Sequence, residues 1–190
     1  MKRQNNMKKI IILTLAALAL FGCAVRYSVK KGYDFTKIKR IAVCDFSGSY
    51  SFANSGDVVA DEFVLQMLEK GYNVIERNKV NLLIRERNLD STDYSKLGKL
   101  LGVDAILTGS VSKYAEDAGR TVYSTDANGN ARTEIAMSRA VVGVSARLID
   151  VNTGEIIWTA RNDDEAFDIS NAVTFVVAGL LDSFKTIKLQ

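Results

Sequence analysis

The chain has 190 residues, 47% of them hydrophobic and 25% charged, which is enough apolar material for the core of a single domain. Its formal charge of +3 comes from the N-terminus: Lys2, Arg3, Lys8 and Lys9 precede Cys23 with no acid among them, and the remaining 168 residues hold 21 basic against 22 acidic groups. That near-neutral balance excludes the basic footprint of a nucleic-acid binder, and the absence of histidine excludes histidine-based triads and speaks against most zinc sites.

The basic stretch MKRQNNMKK leads into an uncharged apolar run, Ile10–Phe21. The run has the length of a signal-peptide core and is shorter than the roughly 20 residues of a membrane-spanning helix. Leu20-Phe21-Gly22-Cys23 then resembles the bacterial lipobox. Residues 1–22 are accordingly expected to be a signal peptide cleaved between Gly22 and Cys23. The Cys23 thiolate takes a diacylglyceryl group and its freed amine a further acyl chain; at about 0.8 kcal/mol per buried methylene, several chains make a lasting anchor. The bland alternative is an uncleaved N-terminal anchor. Either Met1 or Met7 serves as the start, since both leave Lys8, Lys9 and the apolar run. Ala24 stands where an aspartate would signal inner-membrane retention, so resemblance to enterobacterial sorting points to the outer membrane, periplasmic face. With Cys23 lipidated, Cys44 is left alone and no intramolecular disulfide is available.

Residues 23–36 read as a lipidated tether whose aromatics tuck against the domain, and 37–190 as a single domain. Ile38–Phe46 is apolar and β-branched, a buried strand holding Cys44 as a small core residue. A Gly/Ser-rich loop follows, with Asn54 or Ser55 as cap of a helix over Asp57–Lys70 that places Val59, Phe63, Val64, Met67 and Leu68 on one stripe. Tyr72–Glu76 reads as a short strand, Arg77–Asn88 as a helix, and Ser91–Leu101 as a helix opened by Ser91 or Thr92 and closed by Gly102. Val103–Tyr114 is the next strand. Ala115–Arg139 is smaller and more polar, with a turn at Asp126-Ala127-Asn128-Gly129-Asn130; it reads as a projecting hairpin or a mobile loop. Ala140–Val151 and Glu155–Arg161 flank Asn152-Thr153-Gly154 as a second hairpin with Ile156, Trp158 and Ala160 on its core face. A helix over Asp168–Lys185 carries Ile169, Val173, Val176, Val177, Leu180, Leu181 and Phe184 as its apolar stripe. The order β-α-β-α-α-β-β-β-α predicts an α/β fold, helices packed on a mixed sheet.

No catalytic constellation emerges. Gly98-Lys99 lacks the upstream glycine of a phosphate-binding loop, and neither a dinucleotide fingerprint nor a nucleophile elbow occurs. Asp163-Asp164-Glu165 reads as a solvated loop or helix N-terminus rather than a cation site, and Glu76-Arg77 as an inward ion pair or packing signature. No metal, cofactor or enzymatic activity is expected.

Four stretches in order carry a resemblance: Lys39–Phe46; Gly71–Arg77 continuing to Glu86; Leu97–Val111; and Ala146–Trp158, with its Asp150-Val-Asn-Thr-Gly-Glu155 core. Together they resemble the CsgG/HfaB family of outer-membrane lipoproteins, related in fold to LpoB and the TolB N-terminal domain. The resemblance implies a periplasm-facing component of a secretion or surface-assembly system, held in the outer membrane by lipid, with a protein partner in the periplasm or outer membrane and a capacity for homo-oligomers. An activator of a penicillin-binding protein, as in LpoB, and a curli-type secretion channel subunit are the alternatives. A channel subunit would supply two membrane hairpins. Only Ala115–Arg139 has room, with Thr121, Tyr123, Ile135 and Met137 on one face and Asn128-Gly129 at the tip; the residues from Arg161 to Asp168 leave no space for a second.

Overall fold

The computed structural model describes residues 25–75, 77–87, 93–116, 120–126, 128–136 and 139–188. In chain order these form β1 (Arg26–Val29), a 3-10 turn (Phe35–Lys37), β2 (Arg40–Ser47), α1 (Ser55–Glu69), β3 (Asn73–Ile75), α2 (Arg77–Glu86), α3 (Tyr94–Leu101), β4 (Ala105–Ala115), β5 (Arg120–Thr125), β6 (Ala131–Ala136), β7 (Ala140–Asp150), β8 (Ile156–Ala166) and α4 (Ile169–Lys188). Six strands make one mixed sheet in the order β1-β8-β7-β4-β2-β3, and β5 and β6 pair apart from it. The α/β fold expected from the element order is the one observed. β2 runs parallel to β3 and β4, while β7 and β8 return antiparallel and β1 pairs antiparallel with β8.

Two cores lie on opposite faces of the sheet. On the first face, Val59, Phe63 and Met67 of α1 and Val173, Val176, Val177, Leu180, Leu181 and Phe184 of α4 cover Ile41, Val43, Leu107, Val144, Leu148 and Trp158. Each fully buried large apolar side chain contributes about 1.5–3 kcal/mol. Trp158 meets Phe184 edge-on at 5.2 Å between ring centroids, which places it in the core as its apolar neighbours predict. On the second face, Val80 of α2 and Leu97 of α3 close over Ala42, Cys44 and Ile106. These two helices overlie only the β3–β2–β4 half, so exposed Arg26, Ser28, Arg147, Thr159 and Arg161 stand on the other half.

Several local expectations are corrected. Leu68 is 53% exposed, because the α1 stripe that meets the sheet runs through Val59, Ala60, Phe63 and Met67 instead. Ser55 does not cap by its side chain: its hydroxyl accepts from the Ser49 N–H at 2.8 Å and donates to the Phe52 carbonyl, tying down the preceding loop. Asp93, not Ser91 or Thr92, caps α3, its carboxylate accepting from Lys96 N–H at 3.0 Å; Ser91 and Thr92 lie outside the described residues. Gly102 closes that helix in the left-handed region, as expected. Asp163-Asp164-Glu165 is neither loop nor helix start but the end of β8, opposite Gly143, Val142 and Val141. Ile156 is exposed, because an irregularity in the β7–β8 register at Leu148/Ile149 turns Ile157 inward in its place.

Part of the segment read as a tether belongs to the sheet. Arg26–Val29 form its edge strand, and Val25 and Val29 pack against the first core. Beyond it Tyr33 and buried Phe35 meet edge-on, and the Tyr33 hydroxyl donates to the Asp150 carboxylate.

Candidate membrane-facing end and projecting hairpin

The strand directions collect the chemistry-poor but aromatic parts of the chain at one end. β2, β4 and β8 all run towards it, β7 starts there, and β1, antiparallel to β8, is entered from it. The β5–β6 ribbon springs from the same end, between the last residue of β4 and the first of β7. At the root of the ribbon Phe52 stacks on Tyr114 with ring centroids 5.1 Å apart, and the Ser51 hydroxyl donates to the Tyr114 carbonyl. Tyr50 beside them is fully exposed. Phe167, at the joint of β8 and α4, is 78% exposed, and Phe175 follows on α4 at 50%. Ala166, Phe167 and Phe175 line a cavity of about 320 Å³ with Arg139 at its rim. Asp168 caps α4 below it, accepting from the Asn171 N–H at 2.8 Å, and that hydrogen bond holds its carboxyl below the ordinary range.

The ribbon pairs Thr121 with Ile135 and Tyr123 with Thr133, so these four positions share one face by register; of the face expected from the sequence it holds Thr121, Tyr123 and Ile135, and Met137 lies outside the described residues. The other face takes Arg120, Arg132 and Glu134 by the same register. At the tip Gly129 has φ +84° and the Asp126 carboxylate accepts from the N–H groups of Asn128 and Asn130, each at 2.9 Å. Those bonds, Asn130 first, hold the Asp126 carboxyl below its ordinary value. The strands are six residues each, short of the roughly 9–11 that span a bilayer as a barrel strand. The irregular loop or second hairpin that a double-hairpin subunit would need after β8 has no room, for only Phe167 and Asp168 join β8 to α4.

The opposite end is built from the recurring motif residues, and their work is structural. Asp150 accepts from the backbone N–H groups of Asn152 and Thr153, each at 2.8 Å, and from Tyr33. Burial alone would raise its carboxyl, but these hydrogen bonds outweigh burial and hold it low; burial and the Asp150 charge push the Tyr33 phenol up, so it remains the donor. Glu155 pairs with Lys30 across the same turn. Asp104 accepts from the N–H groups of Lys39 and Arg40 at 2.8 and 2.9 Å, pinning the start of β2. Gly98 lets α3 lie on Val151: a Cβ there would sit 2.1 Å from Val151 Cγ2.

The described residues contain no group of three or more candidate metal ligands. Cys44 is buried, and burial, then the neighbouring Asp45 charge, pushes its thiol up to about 12. Asp163 is engaged by Lys113 at 2.7 Å. No described helix is long and apolar enough to cross a membrane.

The family model for the curli production assembly/transport component CsgG matches residues 13–187. The chain belongs to the CsgG family. No curated protein matches it in sequence. Among solved structures it is similar in fold to the PelC dodecamer of Paraburkholderia phytofirmans, with TM-score 0.57 and 16% identity over 83% of this chain and 96% of that one. It is also similar to the lipoprotein GNA1162 of Neisseria meningitidis, with TM-score 0.54 and 20% identity over 77% and 98% of the two chains. The LpoB C-terminal domain of Salmonella enterica aligns more loosely, at TM-score 0.42 and 16% identity over 68% and 85%.

In this CsgG-family chain the expected site residues fall into two groups. Tyr123, Asn128, Gly129 and Ile135 lie together on the ribbon. Gly22, Cys23 and Met137 lie outside the described residues, as do Glu76 and residues 1–24 as a whole. Sequence reasoning missed β1, although Val25, Tyr27 and Val29 alternate with polar residues at the strand period. It also missed Phe167 and Phe175, which no pattern in the chain sets apart from core aromatics.

Proposed function

We propose that this CsgG-family chain is a non-enzymatic outer-membrane lipoprotein, facing the periplasm, that works as an oligomeric component of an envelope secretion or surface-assembly system. One observation carries the reading: the chain enters β1 from the same end of the sheet that bears the ribbon and the exposed Tyr50, Phe52, Phe167 and Phe175. Lipid on Cys23 then draws that end to the bilayer, where exposed aromatic rings sit favourably at the headgroup level. Family membership supports the secretion or assembly role, and the assembled state of PelC, a protein of like fold, supports the oligomer.

The other readings have less behind them. Ala24 and Val25 alone separate Cys23 from β1, so the domain stands within about 10 Å of its anchor at roughly 3.4 Å per residue. That is far too close for an activator that must reach through the cell wall. A curli-type barrel needs two spanning hairpins per chain, and six-residue strands in one ribbon fall short of that. An accessory or scaffold ring around an export path fits better.

Replacing Cys23 with serine tests the anchor. Radiolabelled palmitate is expected to enter the wild-type chain and not the Cys23→Ser variant, and the variant is expected to leave the outer-membrane fraction for the soluble one or remain as an unprocessed precursor. Equal palmitate incorporation in both chains would refute lipidation at Cys23.

A further inference from the structure

We propose that the uncovered half of the sheet is the docking surface for helix α1 of a second copy of this chain, so that subunits join head to tail. The inference rests on the oligomer reading above and names the two faces that make it.

The receiving face is the outer pleat of β1, β8 and β7. The register sets Arg26 opposite Arg161 and Arg161 opposite Ser145 in one row, and Ser28 opposite Thr159 and Thr159 opposite Arg147 in the next. Three arginines therefore crowd two adjacent rows, around a shallow concavity of about 270 Å³ floored by Ser28, Ser145 and Thr159. Like charges directly opposed across strands destabilise a sheet by a few tenths to about 1 kcal/mol. The nearby carboxylate, Asp163, is held mainly by Lys113 at 2.7 Å and stands 3.8 Å from Arg161. A row of opposed arginines on a face that no described helix covers is stabilised when an anionic surface lies against it.

The complementary surface is on α1. This helix carries Asp57, Asp61, Glu62 and Glu69 and no basic residue; Asp57 and Asp61 each also interact within their own chain, and Glu62 accepts from Gln66, so a neighbour's arginines would add to these contacts at the helix surface. Its outward stripe Val58, Asp61, Leu65, Leu68 follows the i, i+3, i+7, i+10 spacing of one helix face. Val58, Leu65 and Leu68 are 41, 52 and 53% exposed, an unusual apolar content for a solvent face. The chemistry of the stripe is acidic and apolar, which fits an arginine-bearing groove with aliphatic arginine stems as its walls.

Geometry selects how the copies meet. α1 lies on the first face of the sheet at the β2–β3 side, and the arginine pleat lies on the second face at the β8–β1 side. The two surfaces point in roughly opposite directions, so one chain offers both to different neighbours. A two-fold dimer through the pleat would set arginines against arginines, whereas a head-to-tail contact pairs opposite charges and repeats from subunit to subunit, into a ring when the rotation between neighbours closes. The contact leaves the membrane-facing end free on every subunit.

The test is the mass of the full-length lipidated protein in mild detergent, corrected for bound detergent. The wild type is expected to be a closed oligomer. Arg26→Glu with Arg161→Glu is expected to fall to one chain, as is Asp57→Lys with Asp61→Lys, while the four substitutions together in one chain restore the oligomer. Cysteines at Leu65 and Thr159, both introduced into one chain and mildly oxidised, are expected to link neighbouring subunits into a ladder on a denaturing gel. A wild type that is already monomeric overturns the oligomer reading and this surface with it. A wild-type oligomer that both charge-reversed pairs still form, or that shows no Leu65–Thr159 ladder, overturns the surface alone.

Discussion

Substituting Gly109 with alanine is expected to lower the melting temperature by roughly 10 °C, and valine at the same position to leave the chain unfolded. Gly109 sits in β4, in the middle of the sheet, opposite Ala146 of β7 and Phe46 of β2. A Cβ there would stand 2.1 Å from the Ser145 carbonyl oxygen and 2.5 Å from the Phe46 ring. Neither neighbour can yield: the carbonyl belongs to the β7 backbone, and the Phe46 ring is stacked on Phe63 at 5.1 Å beneath α1. Overpacking of this kind costs about 3 kcal/mol, a large share of the roughly 5–15 kcal/mol by which a domain is stable. Thermal unfolding followed by circular dichroism checks it; a melting temperature within a degree or two of wild type would show that the strands separate freely at this point.

Asp150→Ala is expected to cost a comparable amount, about 3 kcal/mol, because three donors converge on one carboxylate at the turn between β7 and β8. The loss extends beyond the turn. Tyr33 is fastened to Asp150, and with it the segment that links β1 to β2, so β1 is expected to detach first. Hydrogen exchange over residues 26–37 is expected to rise ahead of the rest of the sheet. The pH dependence has a definite sign. The folded Asp150 carboxyl lies below its ordinary value of 3.8, so its contribution is present above about pH 4 and is lost as pH falls through the folded value. Asp150→Asn removes that part of the acid sensitivity, so its stability is expected to fall less steeply than wild type between pH 5 and pH 2. Identical acid slopes in the two proteins would contradict the assignment.

These two residues also mark where sequence reasoning succeeded and where it stopped. The periods of Val59, Phe63 and Met67 and of Val173 to Phe184 expose both first-face helices, because a helix buried on one side must repeat every three to four residues. The turn at Asn152-Thr153-Gly154 is equally plain from its residue types. What Asp150 does is not, since its partner Tyr33 is 117 residues away and only the assembled sheet brings them together. β1 was hidden for a similar reason: four residues give too short a period to stand out, and its pairing with β8 is supplied by tertiary structure. The end of β8 was misread because three consecutive acids argue against a strand. A strand tolerates them where alternate residues reach solvent, and here Asp163 and Glu165 are exposed and Asp164 half-buried. Of the candidate site, the ribbon and its tip were legible from Asn128-Gly129, whereas the aromatic end was not. No spacing in the sequence marks Phe167 or Phe175, and only the fold shows them turned outward.

The orientation of the domain on the membrane is the claim on which the functional reading turns, and a depth measurement addresses it directly. Cys44 is buried with its thiol pushed up to about 12, and Cys23 is blocked once lipidated, so a single introduced cysteine takes a fluorophore selectively. Asn128→Cys marks the ribbon tip and Asn152→Cys the opposite end of the sheet. With the full-length lipidated protein in vesicles carrying nitroxide-labelled lipid, strong quenching at position 128 and none at position 152 is the expected result. Quenching at 152 alone, or at neither position, would contradict a domain held with its aromatic, ribbon-bearing end against the bilayer.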